Sequence, residues 1–361
     1  MELGAATRAL SSIKDADPHR LWSCQPEELI EEDQRPFAVK GTFYASPVED
    51  TVLIGYQGRL ARLDSLDGKQ KEVLNTEKAG FWFSDCWQTL TPDGKTLLQA
   101  DDQAITALNV ATGKKRWTFP NRDKNTSFGR TGPSVGPDGT VYFGTTNGAV
   151  YAVNGETGKK LWKAETGAYA RAAPAVGPDG KLYVGLLGGD KLPLVVLNAA
   201  DGHEERRLPL KGSLRTEPWV GGDGVVFVKL DGGVTALDPQ SGGQRWKVKP
   251  ASRDDVLGPA PGPDGQYYFS TRQGKLLAVN AADGQETWRL DAEQRLSSGP
   301  QVDRHGVLYV MNDEGEVEAF ARNKGARLAA QASSALAAGP AVGAVHGYFV
   351  VGGVRLAMAS R

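Results

Sequence analysis

The chain has 361 residues, a formal net charge of −1, a pI near 6.5 and two cysteines. A near-neutral balance without basic runs excludes the electrostatic footprint of a nucleic-acid binder. Apolar stretches such as Leu194-Val-Val-Leu197 are strand-sized, which excludes a membrane-spanning helix.

The N-terminus, Met1 to Thr7, has no basic region followed by an apolar one. The expected location is therefore the cytoplasm, with the periplasm as the alternative if the natural chain begins elsewhere. Residues 1–18 read as a tail. His19-Arg-Leu-Trp22-Ser-Cys24 is a short strand signal, and Pro26 to Asp33 is an acidic connection too short for a stable isolated helix.

From about residue 40 to 361 one unit repeats. Its register mark is the glycine after a Pro-Asp pair or its equivalent: Gly94, Gly139, Gly180, Gly224, Gly265, Gly306 and Gly347, with Asp50 in the earliest copy. The spacings of 41–45 residues are those of four-stranded propeller blades. Within a unit, an inner strand ends in a Pro-Asp-Gly turn, where proline sets φ and glycine accepts a positive one. A second strand such as Leu182-Tyr-Val-Gly185 and a third such as Val150-Tyr-Ala-Val153 follow. An Asn or Asp, a glycine four residues on and an outer strand end the unit, as in Asn154 to Trp162. Short apolar runs between Gly, Asn and Pro punctuation read as strands, and no run has helical spacing.

Eight marks predict an all-β fold, an eight-bladed β-propeller of four-stranded antiparallel blades over 19–361. The last copy supplies only Tyr348-Phe-Val-Val351 and Arg355-Leu-Ala-Met358. Residues 19–24, matching Lys159-Lys-Leu-Trp162, are expected to close that last blade, removing sheet edges. Seven blades with a ragged terminus is the alternative. Cys24 and Cys86 fall on outer and inner strands of different blades, too far apart for a disulfide.

The elements Asn109 to Trp117, Asn154 to Trp162 and Asn280 to Trp288 resemble the tryptophan-docking motif of pyrroloquinoline-quinone (PQQ)-like propeller repeats. The resemblance covers 19–361. The family includes quinoprotein dehydrogenases, kinase sensor domains and the lipoprotein scaffold of the outer-membrane β-barrel assembly machine, and this chain looks most like the compact scaffolds. It implies that Trp22, Trp117, Trp162, Trp246 and Trp288 pack on the adjacent blade's motif. Blades with Glu72, Arg206 or Ala329 at that place depart from the pattern.

Catalytic residues are not expected. The family's alcohol dehydrogenases use neighbouring cysteines, a calcium site and an aspartate, and this chain has no adjacent cysteine pair. Asp85, Asp254 and Asp255 stand near the channel mouth, where lone carboxylates more often cap turns than bind a cation. His19, His203, His305 and His346 do not converge on one metal. Glycine pairs lie in hairpins with no following helix, so no phosphate cradle is read. The expectation is no cofactor and no metal; PQQ with calcium, in a sensor or small oxidoreductase, is the alternative.

Partner binding is placed on the top face, which carries the second-to-third strand turns and the connections between blades. Arg130, Arg171 and Arg215 precede inner-strand prolines in consecutive blades, with Arg295 at the same level later. Guanidinium groups there suit carboxylates of a protein or peptide partner, or else pair internally with Asp85, Glu217, Asp254 or Asp255. Phe81, Trp82 and Phe83 form a patch on this face or plug the channel. The expected function is that of a non-enzymatic scaffold, alone or as a subunit of a larger complex.

Overall fold

The computed structural model describes the backbone of 20–24, 42–45, 51–56, 59–64, 70–75, 348–351 and 354–357. It also describes 87–320 apart from 101–102, 123–125, 129–131, 171–172, 187–192, 211, 213, 215–216, 231–232, 250–255, 263–264, 293, 303–306 and 314–316. Side chains are described within 89–320, apart from those stretches and 317. Every element among the described residues is a strand.

The turn chemistry read from the sequence sets the strand ends. In the turn after Ser134–Val135, Gly139 takes φ 81° and its N–H returns to the Gly136 carbonyl at 3.0 Å. The Asp138 carboxylate accepts from the Thr140 N–H at 3.0 Å and hydroxyl at 2.8 Å. At the next hairpin, Asn154 Oδ1 accepts from the backbone N–H groups of Glu156 and Thr157, and the Gly158 N–H bonds the Asn154 carbonyl at 2.8 Å.

These turns generate sheets whose strands pair antiparallel with their chain neighbours. We number them in chain order: sheet 1 within 42–75, sheet 2 within 87–120, sheet 3 within 134–165, sheet 4 within 175–208, sheet 5 within 219–248, sheet 6 within 256–291 and sheet 7 within 301–320. Second and third strands are apolar and buried on both faces, as Thr140–Gly144 and Gly233–Leu237 are throughout. Outer strands alternate, as Lys160–Glu165 does, burying only Trp162 fully. Sheets with neighbours on both faces and one wet edge require this gradient. Apolar clusters join consecutive sheets face to face: Trp117 with Val141 and Phe143, Trp162 with Leu182 and Val195, Val196 with Val226, Trp246 with Tyr267, and Tyr268 with Val310. The inner strand of sheet 1 lies beside that of sheet 7.

The result is a β-propeller of four-stranded antiparallel blades, but the expected eight are not formed. Among the described residues six sheets have four strands, and sheet 2 has six. The expected closure is also corrected. Arg20–Cys24 does not join Tyr348–Val351 and Val354–Ala357; it completes sheet 7 by pairing antiparallel with Val317–Phe320. The physical reason lies in the register. Trp22 stands opposite Ala319, as Trp117 opposes Ala107, Trp162 Ala152, Trp246 Ala236 and Trp288 Ala278. The same one-residue bulge precedes each tryptophan, at Leu21 as at Arg116 and Leu161. Sheet 7 thus receives a tryptophan-bearing strand in the slot where the repeat of its own sequence offers Ala329.

Tyr348–Val351 and Val354–Ala357 form a hairpin whose second strand pairs parallel with Trp87–Leu90, with Arg355 opposite Thr89. It also lies beside the inner strands Ser134–Val135, Trp219–Val220 and Val256–Pro261. Tyr348-Phe-Val-Val351 is apolar at every position, the composition of a strand covered on both sides.

Candidate partner-binding face

The sheets are locked to one another by the residue at the tryptophan position. The Trp117 indole Nε1–H donates to the Gly155 carbonyl at 2.7 Å, Trp162 to Ala199 at 3.0 Å and Trp246 to Ala281 at 3.0 Å. In each case the acceptor follows the Asn that ends the third strand of the next sheet. Glycine four residues after that Asn lets the ring approach: a Cβ on Gly158, Gly202 or Gly284 would stand 2.7, 2.5 or 2.6 Å from it. An aromatic plate with one satisfied donor suits this position.

Arg206 departs from the pattern in sequence yet reaches the same carbonyl. Its guanidinium donates to the Pro239 carbonyl at 3.1 Å and to Gln240 Oε1 at 3.2 Å, and Pro239 follows Asp238 as Ala199 follows Asn198. The substitution is legible once the acceptor rather than the ring is taken as the constant. Trp288 is half-buried in the outer strand of sheet 6. The Trp22 side chain lies outside the described residues.

On the top face, connections between sheets are pinned to second strands by isolated bridges: Phe128 to Thr145, Leu214 to Leu230 and Leu296 to Asn312. Phe128 joins Phe119, Phe143 and Tyr151 in an aromatic cluster with centroids 5.0–6.0 Å apart. Asn121 Nδ2 donates to the Thr126 carbonyl at 2.7 Å, which folds this connection back on itself. Loops held so at both ends present side chains from a fixed base.

Arg130, Arg171, Arg215, Phe81, Trp82 and Phe83 lie outside the described residues, as do Asp85, Asp254, Asp255 and Cys86. The described neighbours of the arginines are core: Phe128, Ala170 and Leu214 are all buried. Arg295 is exposed, and its Nε donates to Asp313 Oδ2 at 3.1 Å. The Asp313 N–H bonds the Arg295 carbonyl at 3.0 Å, so this pair flanks the Leu296–Asn312 bridge that ties the connection to the second strand of sheet 7. An exposed pair of this kind contributes about 0–1 kcal/mol.

Sequence reasoning missed a buried polar group in sheet 5. Lys229 occupies a slot held by Gly144, Gly185 and Ser270 in other sheets, and is 7% exposed. Glu217 is 6% exposed, and the Trp219↔Phe227 register carried two residues further sets it level with Lys229. Both are partnered. The signal was a lone lysine in a column of small residues. Beside them the Trp219 indole N–H is buried without an acceptor.

Tyrosine hydroxyls sit against the carboxylates of the bottom turns. Tyr267 donates to Asp223 at 2.6 Å across a sheet boundary, and Tyr183 to Asp179 at 3.1 Å within one sheet. Burial, then the facing carboxylate, pushes both phenols far above their ordinary range. Tyr142 is raised to about 12 by burial first and Asp138 second. Such phenols stay protonated and act as structural donors. Among the described residues no three His, Cys, Asp or Glu side chains converge as a metal centre. His203 is exposed in a hairpin; His19, His305 and His346 lie outside the described residues.

Comparison with known proteins follows this architecture. The family model for outer membrane protein assembly factor BamB, a PQQ-like repeat family, matches residues 11–173, 150–256 and 230–352. The chain is 33% identical over 96 residues to outer membrane protein assembly factor BamB of Xanthomonas campestris pv. campestris. That match spans 24% of this chain and 23% of the relative's length. The crystal structure of BamB from Moraxella catarrhalis superposes with a TM-score of 0.56 at 18% identity, covering 83% of this chain and 98% of that one, a likeness of fold. The expectation of a cytoplasmic protein is overturned by these relatives, which are factors of outer membrane protein assembly. No helix among the described residues is long and apolar enough to cross a membrane. With the family model matched along most of its length, the chain belongs to the PQQ-like propeller family of the outer membrane protein assembly factor BamB.

Proposed function

We propose that this protein is a non-enzymatic scaffold in the assembly of outer membrane proteins, holding a protein partner against the top face of its propeller. The observation that carries the reading is the family match over residues 11–352, in overlapping segments. Bridges at Phe128 and Leu214 support it, because they anchor the loops from which Arg130 and Arg215 follow in the chain. Arginine and aromatic side chains on rigid loops are the residue types that dominate protein interfaces. The partner's matching surface is acidic, since bidentate guanidinium–carboxylate contacts supply the specificity.

The test is affinity capture with the full chain from lysate of its own host. Wild type should recover a protein of the outer membrane assembly apparatus. Arg130→Ala, Arg171→Ala and Arg215→Ala together should lose it while the melting temperature holds. Equal recovery by the triple variant removes the arginine sector from the account. No cofactor takes part in this reading, so adding the protein to PQQ with calcium should leave the absorption spectrum of the cofactor unchanged.

A further inference from the structure

The outer rim of sheets 2 and 3 is charged differently from the rest of the described rim. Lys114, Lys115 and Arg116 start the outer strand of sheet 2; Lys159 and Lys160 start that of sheet 3. The docking of Trp117 on Gly155 and Gly158 sets these two runs side by side, since Arg116 adjoins Trp117 and Lys159 adjoins Gly158. Lys95 belongs to the same edge, its carbonyl accepting from the Val110 N–H at 3.0 Å. All six side chains are exposed, and none makes a hydrogen bond or ion pair among the described residues.

The nearby carboxylates make no ion pair with them among the described residues. Asp93 accepts from the Thr91 hydroxyl and the Lys95 N–H, and Asp138 from Thr140, each closing its own turn. Glu156 is the other acid of these hairpins. The outer strands of sheets 4 to 6 carry cations that are paired: Arg245, at the Arg116 position, with Asp238 at 3.1 Å, and, one residue beyond the tryptophan position, Arg207 with Glu204 at 2.8 Å and Arg289 with Glu286 at 2.6 Å. Lys181 also pairs with Glu205.

Leu161 stands next to Lys160 and is 53% exposed, one of two large apolar side chains so exposed among the described residues. It is the bulged residue of its strand, turned out of the pairing that buries Trp162. A row of unpaired cations along an outer edge, with an exposed aliphatic side chain among them, suits a flat, multivalent anion. An acidic protein segment would be expected to meet a groove or a fixed set of paired donors.

We propose that the rim formed by Lys95, Lys114, Lys115, Arg116, Lys159 and Lys160, with Leu161, docks on an anionic phospholipid surface. The cations lie at the bottom edge of the ring, where outer strands begin, opposite the face proposed for the protein partner. Each cation near an anionic leaflet contributes about 1 kcal/mol, and the attraction decays within a Debye length of about 8–10 Å. Leu161 adds a shallow apolar contact of the kind found in interfacial anchors.

Co-sedimentation with sucrose-loaded vesicles tests this with the full chain. Phosphatidylcholine vesicles containing about a third phosphatidylglycerol should pellet the protein at low salt, and pure phosphatidylcholine vesicles should not. Changing Lys115, Arg116, Lys159 and Lys160 to Gln should lower partitioning by about 100-fold or more. Arg207→Gln with Arg289→Gln, which removes paired cations, should change it by less than about three-fold. Circular dichroism and capture of the top-face partner report whether the fold and the proposed function survive. Equal binding to neutral and anionic vesicles, or full binding by the four-site variant, overturns the proposal. So does retention on a poly-glutamate column without vesicle binding, which would make the occupant an acidic protein.

Discussion

Sheets 3 and 4 are neighbours built from the same unit, yet they grip the next sheet differently. Sheet 3 presents Trp162, a plate that is 9% exposed, packs on Gly202 and donates one hydrogen bond to the Ala199 carbonyl. Sheet 4 presents Arg206, which delivers donors to Pro239 and Gln240 but leaves its own Nε buried and unpaired. The space a tryptophan fills elsewhere is taken by Leu208, which meets Gly242. What is preserved from sheet to sheet is an acceptor carbonyl after the Asn or Asp of a tight hairpin. The donor is free to vary, and packing area varies with it.

This comparison sets an order of expected effects. Trp162→Ala removes a large buried plate and leaves the Ala199 carbonyl without that donor, and should cost about 3–5 kcal/mol in urea unfolding. Arg206→Met, the matching change in sheet 4, should cost about 1 kcal/mol, because little packing is lost. Equal losses would break the distinction between a packed and a merely hydrogen-bonded contact.

Glycine substitutions sharpen it. Gly202 has φ 76°, and a Cβ there meets the Trp162 ring at 2.5 Å; Gly180 has φ 73° with no atom within 4 Å of a Cβ. Gly202→Ala should cost about 2–4 kcal/mol, from backbone strain plus overpacking, and Gly180→Ala about 1–2 from strain alone. The difference between the two melting curves measures the ring contact.

The Asp238 hairpin that Arg206 abuts gives a pH signature. Backbone donation from Ser241 first, then Arg245, holds the Asp238 carboxyl at about 2, below its ordinary 3.8. A depressed folded value favours the ionised form in the native state, so its contribution is complete above about pH 4 and lost as pH falls through about 2. The group is one-third exposed, so the amount is about 1 kcal/mol or less after solvent screening. Asp238→Asn should flatten stability against pH in that acid window, lowering stability by about 1 kcal/mol or less at neutral pH and leaving it nearly unchanged below about pH 2.

The smallest change is expected at Arg295. Its pair with Asp313 is exposed on both sides, so Arg295→Ala should shift unfolding by less than about 0.5 kcal/mol. A loss of several kcal/mol would mean that the pair holds the connection to the sheet instead of decorating it.

Much of this was legible in the sequence for a local reason. Pro-Asp-Gly and Asn-x-x-x-Gly turns determine their own strand ends, so the repeat unit and the order of the consecutive strands it contributes to a sheet followed from residues within 45 of one another. The indole positions of Trp117, Trp162 and Trp246 followed too, because a tryptophan four residues after a turn glycine has one direction to face. Arg206 was not legible, since its equivalence rests on an acceptor in the next sheet. Nor was the destination of Arg20–Cys24: its sequence specifies an outer strand, but the edge it joins is chosen by a partner some 300 residues away. The arginine sector was assigned from strand direction alone, and its side chains fall in stretches outside the described residues.

Ring closure by the N-terminal strand is the claim on which the shape of the scaffold depends, and one crosslink tests it. Cys24 stands opposite Val317 across the antiparallel pair of strands. Cross-strand neighbours lie about 4.5–5.5 Å apart at Cα, within disulfide range. In a Cys86→Ser background, Val317→Cys should form a bond to Cys24 under mild oxidation, seen as a disulfide-linked peptide by mass spectrometry. A bond from Cys24 to a cysteine placed at Leu356 instead, with none to position 317, would contradict the account.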